Sequence, residues 1–375
     1  MEAERIFKNI ISGRSVGPVA EAARGVLHAL SGLYAAGVRR RNASFDAQTG
    51  VSHAKHPVIS IGNITAGGTG KTPTVRYVCE CLAKTGRRPA VLTRGYGAEK
   101  NAKSFFVSEA GRILVGPAAS GDEAWLLSKQ MPFADVVVGR KRAESAALAE
   151  THADVFVLDD GFQHRALARD LDIVLIDATN PFGYEYVLPR GLLREPLESL
   201  QRADIVVLTR TDRVTPEGLN QTKDALRDML PHVPIYETVH ETRGIQTIER
   251  WLAGEAPDPV QSCKGVKLLA VSGIATPQSF IDNLTAAGLT VHAEKAYGDH
   301  HAYGEDDLID LLKEAFFSGA EAVVTTEKDA VKMAPLLEDS DLKIPVFVLP
   351  VGIRFTGDEA GFCERLIEAV RGSAI

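Results

Sequence analysis

Lys71 and Thr72 close the run GNITAGGTGKTP (residues 62–73). A lysine and a hydroxyl residue directly after closely spaced glycines suit the phosphates of a nucleotide. Gly67, Gly68 and Gly70 admit positive φ and let backbone N–H groups turn inward, the lysine reaches the β- and γ-phosphates, and the hydroxyl can ligate Mg²⁺. The usual pattern, G-x-x-x-x-G-K-[ST], has a glycine where this chain has Thr65. Thr65 and Ala66 are therefore read as the start of the cradle, and Gly67, Gly68, Thr69, Gly70, Lys71 and Thr72 as the part nearest the phosphates. A glycine turn without a ligand is the alternative. A Mg²⁺-nucleotide site also needs a carboxylate at the end of a neighbouring strand, and VFVLDD supplies Asp159 and Asp160. A strand-end aspartate can equally cap a turn. The stretch LTRTD (208–212) makes Asp212 a candidate contact for the nucleotide base, against an ordinary turn.

These residues need strands to carry them. PVISI, PAVLT, DVVVG, DVFVLD, DIVLID and DIVVLT are nearly continuous apolar runs, as in parallel strands covered on both faces, and helical patterns lie between them. SFFVSEAGRILVG (104–116) predicts a hairpin turning at Glu109, Ala110 and Gly111. The segment from about 233 to 265 is polar and rich in turn residues, and a second α/β series follows it. The expected organisation is an N-terminal amphipathic helical segment (1–41), a phosphate-loop nucleotide-binding domain (42–235), a β-stranded linker or bridging hairpin (236–265) and a smaller α/β domain (266–375).

With 375 residues, 45% of them apolar and 24% charged, the chain can bury a full core. Its net charge of -7 argues against nucleic acid as a partner, and its four cysteines have neither metal-ligand nor disulfide-framework spacing. No run is long enough to span a bilayer. Near the N-terminus, Val19, Ala23, Val26, Leu27, Leu30, Leu33, Tyr34 and Val38 recur at helical spacing and Arg39, Arg40 and Arg41 follow. Such a helix suits an anionic membrane interface or a dock on the protein's own core.

Eight stretches in order, GNITAGGTGKTP, LTRGYG, GDEAWLL, LDDGFQH, LPRGLLREP, AVSGIATPQSF, YGDHHAYGEDDL and TTEKDAVK, resemble the tetraacyldisaccharide 4'-kinases, the lipid A 4'-kinases of Gram-negative bacteria. The resemblance implies ATP-dependent phosphorylation, with Mg²⁺, of the 4'-hydroxyl of an acylated glucosamine disaccharide 1-phosphate. It also implies a peripheral position on the cytoplasmic face of the inner membrane, an anionic surface as partner, and no obligate protein partner. The N-terminal helix then becomes membrane-associating. Residue by residue, Asp122 matches the catalytic base and His300 its dyad partner, with Lys71 also catalytic. Thr72, Asp159 and Asp160 match the Mg²⁺ site. Arg94, Tyr96, Arg142, Gln163, His164, Arg194 and Glu195 match the acceptor side. The chain departs from the family at Tyr184 and Arg190, where Arg190 is either a phosphate contact or a solvated arginine. Two rivals stand beside this reading. A switch ATPase would carry a signature lysine where Ala66 stands, and a GTP-dependent accessory protein is favoured only by LTRTD.

Overall fold

The computed structural model describes residues 2–98, 103–338 and 344–371. Helices α1 (Glu2–Ile11) and α2 (Pro18–Asp46) come first. They are followed by β1 (Val58–Asn63), α3 (Lys71–Lys84), β2 (Pro89–Thr93), β3 (Phe105–Glu109), β4 (Arg112–Ile113), α4 (Pro117–Ser120), α5 (Asp122–Gln130), β5 (Asp135–Val138) and α6 (Arg142–Ala149). Next are β6 (Val155–Asp159), β7 (Leu171–Asp177), β8 (Ile205–Thr209), α7 (Pro216–Met229), β9 (Ile235–Thr242), β10 (Gln246–Thr247) and α8 (Ile248–Ala253). The last elements are β11 (Lys267–Ser272), α9 (Gln278–Ala286), β12 (Thr290–Ala296), α10 (Glu305–Ser318), β13 (Ala322–Thr326), α11 (Glu327–Glu338), β14 (Val346–Leu349), β15 (Val351–Phe355) and α12 (Glu359–Arg371).

Ten strands form one sheet in the order β15-β9-β8-β7-β1-β6-β2-β5-β3-β4, parallel from β9 to β5. The apolar runs are continuous because alternate residues feed opposite faces. Ile59 and Ile61 pack with Val75, Leu82 and Phe362 on one side, while Val58, Leu92, Phe156 and Leu158 pack on the other. The hairpin β3–β4 turns through Ala110 and Gly111, both at positive φ. A second sheet has the order β10-β14-β13-β11-β12.

Sheet membership cuts across the expected segments. Residues 236–265, read as a linker, supply most of β9 to the first sheet and β10 to the second. The run IPVFVLPVGI (344–353), inside the segment expected as the smaller α/β domain, supplies two strands: β14 in the second sheet and the start of β15, antiparallel to β9, in the first. Pro350 separates them, since it has no N–H to continue a ladder. Helix α12 then returns Phe362, Leu366 and Val370 to the first core.

At the N-terminus, α2 turns Ala20, Ser31, Ala35, Val38 and Asn42 toward the body. Most of the apolar stripe faces away from it, with Val19 84% and Leu33 74% exposed. Small and polar residues dock this helix: Ser31 donates to the Val187 carbonyl at 2.8 Å and Tyr34 to the Arg194 carbonyl at 3.0 Å. Among the described residues no helix is long and apolar enough to cross a membrane.

Candidate active site

The site lies where parallel strands β1, β6 and β2 end, in the crevice outside their carboxyl ends. The loop between β1 and α3 has two halves. In the first, the Ala66 N–H donates to the Leu192 carbonyl at 2.7 Å, the Arg194 N–H donates to the Ile64 carbonyl at 2.6 Å, and Thr65 bridges Leu193 antiparallel. The backbone at Thr65 is thus a short piece of strand, a conformation any residue adopts, so the position requires no glycine. In the second half Gly67 (φ +119°) and Gly70 (φ +85°) take the left-handed turns that the cradle needs. The Thr209 hydroxyl at the end of β8 donates to the Thr69 carbonyl at 3.1 Å and pins this half. LTRTD therefore supports the loop through Thr209, while Asp212 itself is exposed.

Lys71 and Thr72 open α3, both half-buried. The Lys71 Nζ lies 3.6 Å from Asp160 Oδ1 and donates to Asn63 Oδ1 at 3.3 Å. Asn63, whose Nδ2 also donates to the Thr65 carbonyl at 2.7 Å, was not assigned a role from sequence. Its signal there was a polar residue closing an apolar strand. Asp159 sits beside Ile61 in the sheet, buried, with the Thr93 hydroxyl donating to its Oδ2 at 2.9 Å. Burial, and then the charges of Glu123 and Asp160, push its carboxyl up to about 6. Asp160 turns out of the strand at φ +51°, and the Arg194 guanidinium donates to both its oxygens at 2.9 Å. Burial acts to raise Asp160, but Lys71 and Arg194 outweigh it and hold the carboxyl below its ordinary value.

The hydroxyl of Thr72 and the two carboxylates are hard oxygen donors of the kind Mg²⁺ takes. Among the described residues no group of three or more His, Cys, Asp or Glu forms a closed metal cage.

The acceptor-side residues divide. Arg94 and Tyr96 are exposed at the end of β2. Gln163 donates to the Asn63 carbonyl at 2.9 Å and accepts from Arg194 at 3.5 Å. His164 is half-buried, and burial followed by Arg142, Arg169 and Arg94 pushes its imidazole down to about 4. Two residues expected to line the acceptor instead point inward. Arg142 is 2% exposed and donates to the carbonyls of Leu92, Gly139 and Asp159, bracing the strand ends. Glu195 is wholly buried and accepts from Arg41, Asn42 and Arg202, which ties α2 to the loop that presents Arg194. Arg190 is also occupied, donating to the Ile11 carbonyl at 2.8 Å and covering the Tyr186 ring.

Asp122 begins α5 after Gly121. A Cβ on Gly121 would lie 2.2 Å from the Tyr96 carbonyl, so RGYG rests directly on the start of that helix. From the loop after β12, His300 (φ +58°) brings its ring to 5.1 Å from that of Tyr96. Tyr96 thus adjoins both Asp122's helix and His300, but among the described residues no hydrogen bond joins Asp122 to His300. His301 faces elsewhere, bonded to Asp307 at 3.0 Å and stacked on Tyr297.

The sequence pattern of the tetraacyldisaccharide-1-P 4'-kinases matches residues 23–371. The chain belongs to that family. A tetraacyldisaccharide 4'-kinase of Anaeromyxobacter sp. (strain Fw109-5) is 43% identical over 309 residues, covering 81% of each chain. Another, from Syntrophus aciditrophicus (strain SB), is 38% identical over 339 residues, covering 88% of each. A crystal structure of LpxK from Aquifex aeolicus in complex with ATP superposes with a TM-score of 0.72 at 28% identity, covering 93% of this chain and 99% of that one. The mixed α/β architecture with its large parallel sheet is that of the family.

Proposed function

We propose that this protein transfers the γ-phosphoryl group of ATP to the 4'-hydroxyl of tetraacyldisaccharide 1-phosphate, giving lipid IVA, at the cytoplasmic face of the bacterial inner membrane. One observation carries the reading beyond family membership. The phosphate loop is paired through Thr65 with Leu193, and Asp160 is held between Lys71 and Arg194, so the donor loop and the loop bearing Arg194 are one unit.

The amides of Gly67 to Thr72 and the Lys71 ammonium hold the β- and γ-phosphates. Thr72, Asp159 and Asp160 would hold Mg²⁺, which when bound neutralises charge on the phosphate oxygens. Asp122 accepts the proton of the attacking hydroxyl, worth about 10² to 10⁴ in rate, and His300 orients Asp122. Arg94, Tyr96, Gln163, His164 and Arg194 contact the acceptor, while Arg142 and Glu195 act by bracing the strand ends and the Arg194 loop. The two sheets act as a nucleotide domain and a smaller α/β domain that close together, since Asp122 opens a helix connecting strands of the first sheet and His300 sits in the loop after a strand of the second. Closure excludes water and suppresses ATP hydrolysis. The outward stripe of α2 lies in the lipid interface, which leaves the acceptor's acyl chains in the bilayer.

The test is incubation with Mg²⁺, labelled ATP and tetraacyldisaccharide 1-phosphate in detergent micelles. Label at the 4' position is expected, with large losses for Asp122→Ala and His300→Ala. No label beside an active control kinase would refute the assignment, and a folded variant with near-normal turnover would remove that residue from it.

A further inference from the structure

Helix α11 carries a lysine that neither sequence motif nor family resemblance assigned. The Lys328 Nζ lies 3.1 Å from Glu123 Oε1, 3.9 Å from Asp299 Oδ1 and 3.4 Å from His300 Nε2. Glu123 follows Asp122 in the first turn of α5. One ammonium therefore spans the two sheets beside the residues read as catalytic.

The residues on either side of Lys328 fix where it points. Glu327 is buried and accepts from Gln130 at the far end of α5 (2.9 Å), from the Trp251 indole (3.3 Å) and from the Val351 N–H (3.3 Å). Asp329 is fully buried and accepts from the Gly273 N–H at 3.0 Å and the Thr326 hydroxyl at 2.7 Å. The start of α11 thus meets both ends of α5, with Glu327 on Gln130 and Lys328 on Glu123.

The ammonium has only donors, so the ring nitrogen facing it must keep its lone pair. A neutral His300 held this way carries its proton on Nδ1, and the N–H is then the side of the ring turned away from Lys328. Asp299, whose Oδ2 is 3.9 Å from the same Nε2, is itself engaged by Lys328 and by the backbone N–H of His300, which donates to its Oδ1 at 3.1 Å.

We propose that Lys328 is a positioning residue for the phosphoryl transfer, holding His300 as the Nδ1–H tautomer and tying it to Glu123 beside Asp122. The proposal rests on the Asp122–His300 reading above. A half-exposed ion pair contributes little to stability, so the role is separable from folding.

The test uses ¹⁵N-labelled full-length protein, with the His300 ring signals assigned by their loss in His300→Gln. Wild type should show the Nδ1–H form, and Lys328→Met should shift His300 to the Nε2–H form. In kinase assays Lys328→Met should lose about 10²-fold in kcat, the scale of a misplaced catalytic group, with ATP affinity and melting temperature near wild type. Lys328→Arg should recover part of the loss. A wild-type His300 in the Nε2–H or doubly protonated form overturns the proposal. So does turnover of Lys328→Met within twofold of wild type while His300→Ala is slow, an outcome that spares the Asp122–His300 reading. Near-normal turnover in both variants overturns that reading and the proposal with it.

Discussion

Asp159 is a costly residue for the site to keep ionised. Its carboxyl is buried, 7% exposed, and pushed up to about 6 from an ordinary 3.8 by desolvation and by its neighbours Glu123 and Asp160. Between those two values the folded protein holds a proton that the unfolded chain has released, so stability falls as pH rises from 3.8 to 6 and stays low above. The full penalty is about 3 kcal/mol, from roughly 2 pKa units at 1.36 kcal/mol each. At pH 5 only about half of it has developed. Asp159→Asn removes the charge, keeps the shape and leaves an oxygen to accept from Thr93. The variant should therefore be more stable than wild type without nucleotide, by about 3 kcal/mol at pH 8 and about half as much at pH 5. It should also lose kinase activity and any stabilisation by Mg²⁺ with ATP. Denaturant titrations at the two pH values measure this. A gain equal at both, or no gain at pH 8, would refute the reasoning that ionising Asp159 costs stability.

Thr65→Gly restores the usual phosphate-loop glycine, yet it should lower stability by about 1 kcal/mol and leave ATP affinity no tighter, because the position is extended; calorimetric binding and melting check both. Glu195→Ala should destabilise the fold by about 3 kcal/mol by leaving buried cationic and amide groups unpaired, and denaturant titration should show a larger loss than for Arg194→Ala. Arg194→Ala should instead impair transfer while the protein stays folded. Replacing Val19 and Leu33 together by Asp should leave melting unchanged, since both face outward, and reduce co-sedimentation with anionic vesicles; undiminished binding would exclude the α2 stripe from the membrane contact.

The strands were legible because parallel strands buried on both faces are apolar at every position, and six of them appear within a residue or two of their expected bounds. The phosphate loop was legible because its glycines do what no other residue does cheaply. The double role of IPVFVLPVGI was not, since an apolar run does not record which sheet it joins. Arg142 and Glu195 illustrate a different limit. A charged residue in a motif signals that it matters, but whether it meets a ligand or braces the loop that does depends on burial. Lys328 escaped because its partner is distant in sequence: it meets Glu123 only after helix α11 docks on helix α5. Asn63 escaped although its partners Thr65 and Lys71 are close in sequence, because only the folded loop turns its side chain onto them.

The strand-like pairing of Thr65 with Leu193 bears on how such enzymes diversify. Where one loop binds the cofactor and an independent loop binds the acceptor, acceptor preference can drift while the engine stays fixed. Here the two are stitched by backbone hydrogen bonds, which among single substitutions only proline at a donor position removes. A transplant of residues 188–196 from a relative with a different acyl preference would perturb the Michaelis constant for ATP, unless residues 62–66 travelled with it. If the Arg194 loop contacts the acceptor as proposed, specificity and phosphate binding are inherited as one piece.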